Sequence, residues 1–189
     1  MRIALAILFL VTAADDKDYF PTKKGTKWIF TAGDGEITVT VEGTEKVGDV
    51  ECAIFKKDYP DQTTREYYAV TDKGVSLHKI DAQQTMEFKD NPIPRVRFGT
   101  KKGDKWEWKT EGQEGNYENA GEEEITVPAG KYKALKIVVS AKSGNNEYKI
   151  TRWYASGVGL IKEESAAGDQ TRTMELKKFE EAKEEKKDK

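Results

Sequence analysis

The chain has 189 residues, 35% of them charged, with 32 basic against 34 acidic side chains and a net charge of −2. Both signs are interspersed, so no basic stripe gathers phosphate, and nucleic acid is not an expected partner. One cysteine and one histidine cannot make an internal disulfide or supply three or four preferred zinc ligands, and neither a metal nor another cofactor is expected.

Residues 1–14 read as a secretory signal, with Arg2 as the positive region, Ile3 to Val11 as the apolar region and Thr12-Ala13-Ala14 as the cleavage site. That apolar run spans about 14 Å as a helix, roughly half a bilayer core, so no transmembrane segment is expected in the mature chain. No cysteine follows it, which favours a secreted or periplasmic protein over a lipid-anchored one. A chain of this length buries about 70% of its unfolded surface in one core, and residues 15–179 are expected to form a single β domain.

Period-two alternation then dominates, the mark of strands with one face on a core. Trp28 and Phe30 share a face, Asp34-Gly35 reads as a hairpin turn, and Ile37, Val39 and Val41 share the next inward face. Cys52 reads as a small buried hydrophobe, and His78 as a surface residue on a polar face. Between Asp81 and Val96, the Asn91-Pro-Ile-Pro94 segment forbids a regular central strand and reads as a crossover loop. Trp106 and Trp108 share a face, while Lys109 to Glu124, polar and glycine-rich, reads as a loop or weak hairpin. Further turns fall at Val127-Pro-Ala-Gly130 and Gly144-Asn-Asn146, with strands from Tyr132 to Val139, Glu147 to Tyr154 and Arg172 to Phe179. Gly157-Val-Gly159 lacks the third glycine and the βαβ setting of a nucleotide loop and reads as a turn or bulge. Residues 180–189, nearly all charged, read as a solvated tail.

Much of this is said twice. Phe20-Pro-Thr-Lys-Lys-Gly-Thr-Lys-Trp28-Ile-Phe30 returns as Phe98-Gly-Thr-Lys-Lys-Gly-Asp-Lys-Trp106-Glu-Trp108, 78 positions later. Glu36-Ile-Thr-Val39 returns at Glu124 to Val127, Tyr67-Tyr-Ala69 at Trp153 to Ala155, and Gly74 to Lys79 at Gly157 to Lys162. Echoes that keep their order while the offset drifts point to duplication followed by loop insertion and deletion. The expected fold is all-β, an antiparallel curved sheet, half-barrel or sandwich built from two similar halves, with pseudo-repeats at 19–80 and 97–165.

No catalytic constellation emerges. There is no Gly-x-Ser-x-Gly elbow or Cys-His pair, and His78 has no recognisable partner. Glu122-Glu-Glu124 and Asp15-Asp-Lys-Asp18 lack calcium-loop spacing and read as solvated charge. A two-carboxylate glycosidase draws its acids from distant strands and leaves no local signature. The paired tryptophans read chiefly as core anchors; an aromatic platform for a sugar or lipid would need an exposed ring. Trp108, Trp153 and Tyr154 are the candidate ligand-binding residues, with Trp153 and Tyr154 projecting to opposite faces.

The segments Phe20-Pro-x-x-x-Gly25-x-x-Trp28, Val127-Pro-Ala-Gly-Lys-Tyr-Lys-Ala134 and Trp153-Tyr-Ala-Ser-Gly-Val-Gly-Leu-Ile-Lys162 together resemble a family of exported bacterial β proteins of unknown function, of the DUF3108-like or TapB-like kind. The resemblance covers most of residues 19–179. It implies an antiparallel β architecture, such as a curved half-barrel similar to periplasmic lipoprotein carriers, in the envelope or outside the cell, and supplies no catalytic residues. The expected function is that of an exported, non-enzymatic, monomeric β domain binding a hydrophobic or extended ligand, or an envelope protein, in the concavity of its sheet. A structural envelope component acting by β-augmentation and a carbohydrate-active hydrolase are the alternatives.

Overall fold

The computed structural model describes residues 16–110 and 112–183; the expected signal and the last six residues of the charged tail lie outside them. A 3₁₀ turn at Asp16–Tyr19 leads into β1 (Lys27–Ala32), β2 (Gly35–Val47), β3 (Val50–Asp58), β4 (Thr63–Val70), β5 (Gly74–Asp81), β6 (Thr85–Glu87) and β7 (Ile93–Arg97). After a short linker come β8 (Lys105–Thr110), β9 (Gln113–Val127), β10 (Gly130–Ser143), β11 (Asn146–Ala155), β12 (Gly159–Ala167) and β13 (Gln170–Glu180). All pair antiparallel in one sheet of order β6-β5-β4-β3-β2-β1-β13-β12-β11-β10-β9-β8, with β7 beside β5. Two meanders therefore meet where β1 pairs with β13. Among the described residues no helix is long and apolar enough to cross a membrane.

Chain connectivity forces this sheet to curve. Laid flat, twelve strands would span about 53 Å at the usual spacing. Yet β7, at one end, is joined to β8, at the other, by residues 98–104, a reach of at most about 28 Å. Side chains bridge the remaining gap: Trp108 Nε1 donates to the Asn91 carbonyl at 3.0 Å, the Arg97 guanidinium lies 5.5 Å from the centre of the Trp106 ring, and Asn119 Nδ2 donates to the Thr100 carbonyl at 3.1 Å. No backbone ladder joins β7 to β8 among the described residues, so the sheet is curved but open.

Inside the curve lies one apolar core drawn from both meanders, including Trp28, Phe30, Val41, Phe55, Leu77, Trp106, Trp108, Tyr117, Ile137, Tyr154 and Ile161. Trp28 stacks on Phe55 with ring centroids 5.8 Å apart, and Trp106 on Tyr117 at 5.5 Å. Both tryptophans are nearly sealed, at 4% and 5% exposure, each contributing on the order of 5 kcal/mol of apolar burial. A satellite cluster of Val47, Cys52, Tyr67 and Ala69 forms apart from this core, with Cys52 fully buried.

The meanders share backbone detail. The Gly25 amide bonds to the Val41 carbonyl and the Val41 amide to the Thr26 carbonyl; 78 positions on, Gly103 bonds to Asn119 and Asn119 to Asp104 in the same way. The β2–β3 ladder has an extra residue at Glu42, and the β9–β10 ladder one at Ala120. The β4–β5 ladder bulges at His78 and the β11–β12 ladder at Ile161.

Three expectations are corrected. Of the loop and the hairpin expected at residues 109–124, the loop is excluded: Lys109 pairs with Glu114 across a β8–β9 hairpin, and β9 runs on as the longest of the described strands. Its buried positions are Gly115, Tyr117, Asn119, Gly121 and Val127, so the alternation is real but carried mostly by residues that hydropathy does not register. The Asn91 to Pro94 segment does not remain a loop: Ile93–Arg97 forms β7, where Pro94 is tolerated because the strand pairs on one side only. His78 is not on the surface. It is the extra residue of the β4–β5 bulge, which breaks the alternation and buries Leu77 and His78 in succession. There its Nε2 lies 3.0 Å from Ser76 Oγ, and burial lowers its pKa.

Candidate functional site

A cavity of about 230 Å³ opens on the concave side of the sheet, with walls from β1 to β4, β7 and β11 to β13. Its apolar lining is formed chiefly by Phe20, Trp28, Phe30, Phe55, Leu160 and Met174. The same cavity is lined by Lys57, Glu66, Arg95, Arg152 and Glu163, and by Tyr68 and Tyr154.

Strand periodicity puts these charges inside. Lys57 stands two residues from Phe55, Glu66 two from Tyr68, Arg152 two from Tyr154 and Glu163 two from Ile161, so each shares the inward face of a buried neighbour. Arg152 and Glu163 are directly opposite in the β11–β12 ladder, and Nε of the first lies 2.6 Å from Oε2 of the second. Lys57 and Glu66 are diagonal neighbours across β3 and β4, joined at 2.7 Å, and the Tyr68 hydroxyl also donates to Glu66.

Electrostatics holds both acids ionised. Burial pushes Glu66 upward, but Lys57 and Arg95 beside it outweigh that and hold it down at about 2. Glu163 is likewise lowered, with burial opposed mainly by Arg152 and Lys57. Burial, aided by the Glu66 charge, pushes the Tyr68 phenol up to about 12.

Arg95 differs from the other cations. In the β5–β7 ladder Val75 pairs with Val96 and Ser76 with Pro94, which leaves Arg95 as the extra residue of a bulge, a device that re-aims a side chain. Its guanidinium lies 5.7 Å from the centre of the Tyr68 ring, and its enclosed Nε has no hydrogen-bond partner among the described residues.

The motif residues collect at one end of the cavity. Trp28 Nε1 donates to the Val158 carbonyl at 2.6 Å, and the Gly157 amide donates to the Asp18 carbonyl at 2.9 Å. Gly159, at φ +87°, lies so close to Pro21 that a Cβ there would stand 3.1 Å from the proline Cδ. The Phe20-Pro21, Trp28 and Gly157 to Gly159 segments are thus one packed unit, and four of these residues, Phe20, Pro21, Trp28 and Gly159, line the cavity.

Of the three candidate residues named from sequence, only Tyr154 reaches this cavity. Trp108 is buried against Asn91. Trp153 faces away, where its Nε1 donates to Glu123 Oε1 at 2.6 Å and the amines of Lys136 and Lys162 lie 5.2 and 5.4 Å from its ring centre. The five charged wall residues were not singled out from sequence. The available signal was a charge at i±2 from an aromatic or β-branched residue within a strand, on the face that alternation assigns to the core. Among the described residues no group of three or more acidic, histidine or cysteine side chains is placed to hold a metal ion.

A family model described as DUF3108-like matches residues 34–172. Among solved structures, a candidate exported protein with a YmcC-like fold from Bacteroides fragilis superposes with a TM-score of 0.55 at 12% identity, covering 89% of this chain and 100% of its own. A candidate lipoprotein from Parabacteroides distasonis gives a TM-score of 0.47 at 14% identity, covering 86% of this chain and 98% of its own. No curated protein gives a significant match. At such identities the likeness concerns the fold alone.

Proposed function

Since the chain belongs to the DUF3108-like family, we propose that it is an exported, non-enzymatic β domain that takes a small, partly apolar ligand, or one end of an extended one, into the concave cavity. The observation that carries this reading is a cavity of about 230 Å³ whose lining combines apolar and charged side chains, drawn from both of the two similar meanders. The volume falls below the range of roughly 300–1,000 Å³ usual for drug-sized ligands, which favours a small guest or the tip of a longer one. The shared hydrogen bonds and bulges of the two meanders support an origin by duplication, which leaves the cavity at their junction. Export is supported by residues 1–14, whose sequence reads as a secretory signal, and by the description of the Bacteroides structure as an exported protein.

Carbohydrate hydrolysis is the weaker reading. Glu66 and Glu163 face the same cavity, but each is paired with a cation and held ionised, whereas glycosidic cleavage needs one carboxyl kept protonated as the acid. β-Augmentation is weaker as well, because β6 has only three residues and β8 exposes Lys105, Glu107 and Lys109 along its edge.

A solvatochromic apolar dye tests the binding reading. The purified protein should enhance its emission, and Leu160→Trp, which fills the cavity from its apolar lining, should abolish the enhancement without lowering the melting temperature. A folded protein that leaves the dye in its aqueous emission state refutes it.

A further inference from the structure

Three cations and two carboxylates line the cavity, and the pairing leaves one cation over. Glu66 is ion-paired with Lys57 and Glu163 with Arg152, while Arg95, near enough to help hold both acids ionised, makes no direct ion pair among the described residues and its Nε is enclosed without an acceptor there. A buried guanidinium donor without an acceptor is costly unless something supplies one. The apolar lining of Phe20, Trp28, Phe55, Leu160 and Met174 borders the same space.

Resting on the binding reading above, we propose that the ligand is a monoanionic amphiphile, an organic carboxylate whose head bonds to Arg95 and whose apolar body lies against the aromatic lining. A single negative charge completes the balance of the cavity. A carboxylate matches the planar fork of a guanidinium and can accept the Nε proton, which a neutral head group does less well. The volume corresponds to a body of about ten non-hydrogen atoms, the size of octanoate, and a longer chain would leave through the open side. The β7 bulge supports the assignment, because it turns Arg95 toward the cavity from a strand whose neighbouring side chains, Val96 and Arg97, are respectively buried and exposed.

The test is titration of the purified full chain with octanoate, octanol, octylamine and inorganic phosphate, followed by Trp28-weighted fluorescence and by calorimetry. Octanoate should bind at least about ten-fold more tightly than octanol, and octylamine and phosphate should bind more weakly than either. Arg95→Met should erase the preference for octanoate over octanol while retaining octanol binding, and Arg95→Lys should restore part of it. Circular dichroism and melting establish that the variants are folded; if Arg95→Met is not, the head-group series on the unmodified protein decides alone. Equal affinity for octanoate and octanol overturns the carboxylate assignment and leaves the binding reading standing. Absence of binding by every amphiphile and by the apolar dye overturns both. Tight binding of phosphate alone overturns the amphiphile and assigns a simple anion site.

Discussion

Replacing Gly74 by alanine should loosen the strand that carries Arg95. Gly74 opens β5 at φ +146°, and a Cβ built there would lie 2.2 Å from the Val96 carbonyl oxygen and 3.0 Å from the Arg97 Cα. Real Cβ contacts do not fall below 3.0 Å, so β7 must retreat by about 0.8 Å or unpair, and the side chain at 74 would also be held in a conformation that costs roughly 1–3 kcal/mol. Adding one weakened ladder hydrogen bond at about 1 kcal/mol gives a penalty near 3 kcal/mol. For a domain of this size that corresponds to a melting temperature lower by about 6–12 °C if the loss is global. If β7 detaches alone, the melting temperature falls less, and the Phe98 amide, which donates to the Lys73 carbonyl at 3.0 Å, loses its protection. Thermal melts and native-state hydrogen exchange read the two outcomes. A variant that melts within about 1 °C of the parent and keeps full Phe98 protection would refute the claim that close β5–β7 contact holds the strand in place.

Three further outcomes are expected. Glu66 holds its proton less tightly folded than unfolded, so the stability it lends is complete above its ordinary value of 4.5 and is lost as the pH falls toward about 2. Its full size is on the order of 3 kcal/mol, and melts of Glu66→Gln across that window should show a shallower acid decline from a lower plateau at pH 7. Glu163→Gln leaves the Arg152 side chain, 7% exposed, without its counter-charge, and should cost about 3 kcal/mol by urea titration, whereas Arg152→Met combined with Glu163→Leu should recover much of it. The Cys52 thiol, fully buried and raised in pKa chiefly by that burial, should ignore a thiol-specific reagent in the native protein and react at once in denaturant; rapid native modification would contradict the satellite cluster.

Legibility in the sequence followed the chemistry of each element. The strands at Trp28 and Ile37 were readable because apolar or aromatic side chains mark alternate positions, and those at Tyr148 and Arg172 because they are rich in aromatic and β-branched residues. β9 was not, because glycine and asparagine occupy much of its inward face and turn composition in one chain looks like strand composition in another. β7 was hidden by Pro92 just before it and Pro94 within it, which exclude a central strand but not an edge. His78 was misplaced for a different reason: a bulge is a property of two strands in register, and one strand alone does not reveal where its partner lacks a residue.

By itself, then, the sequence determined an antiparallel all-β architecture, the family and the two tryptophan strands that belong to one interior, since alternation, turn residues and repeated segments are local quantities written along the chain. Tertiary structure alone decided that the two meanders join through β1 and β13, that the sheet curves without closing by a ladder, and that five charges from β3, β4, β7, β11 and β12 face one cavity. Those charges lie up to 106 positions apart, from Lys57 to Glu163, and their meeting depends on strand order, register and bulges. Each of these is a relation between distant segments, and it exists only once the ladders have formed.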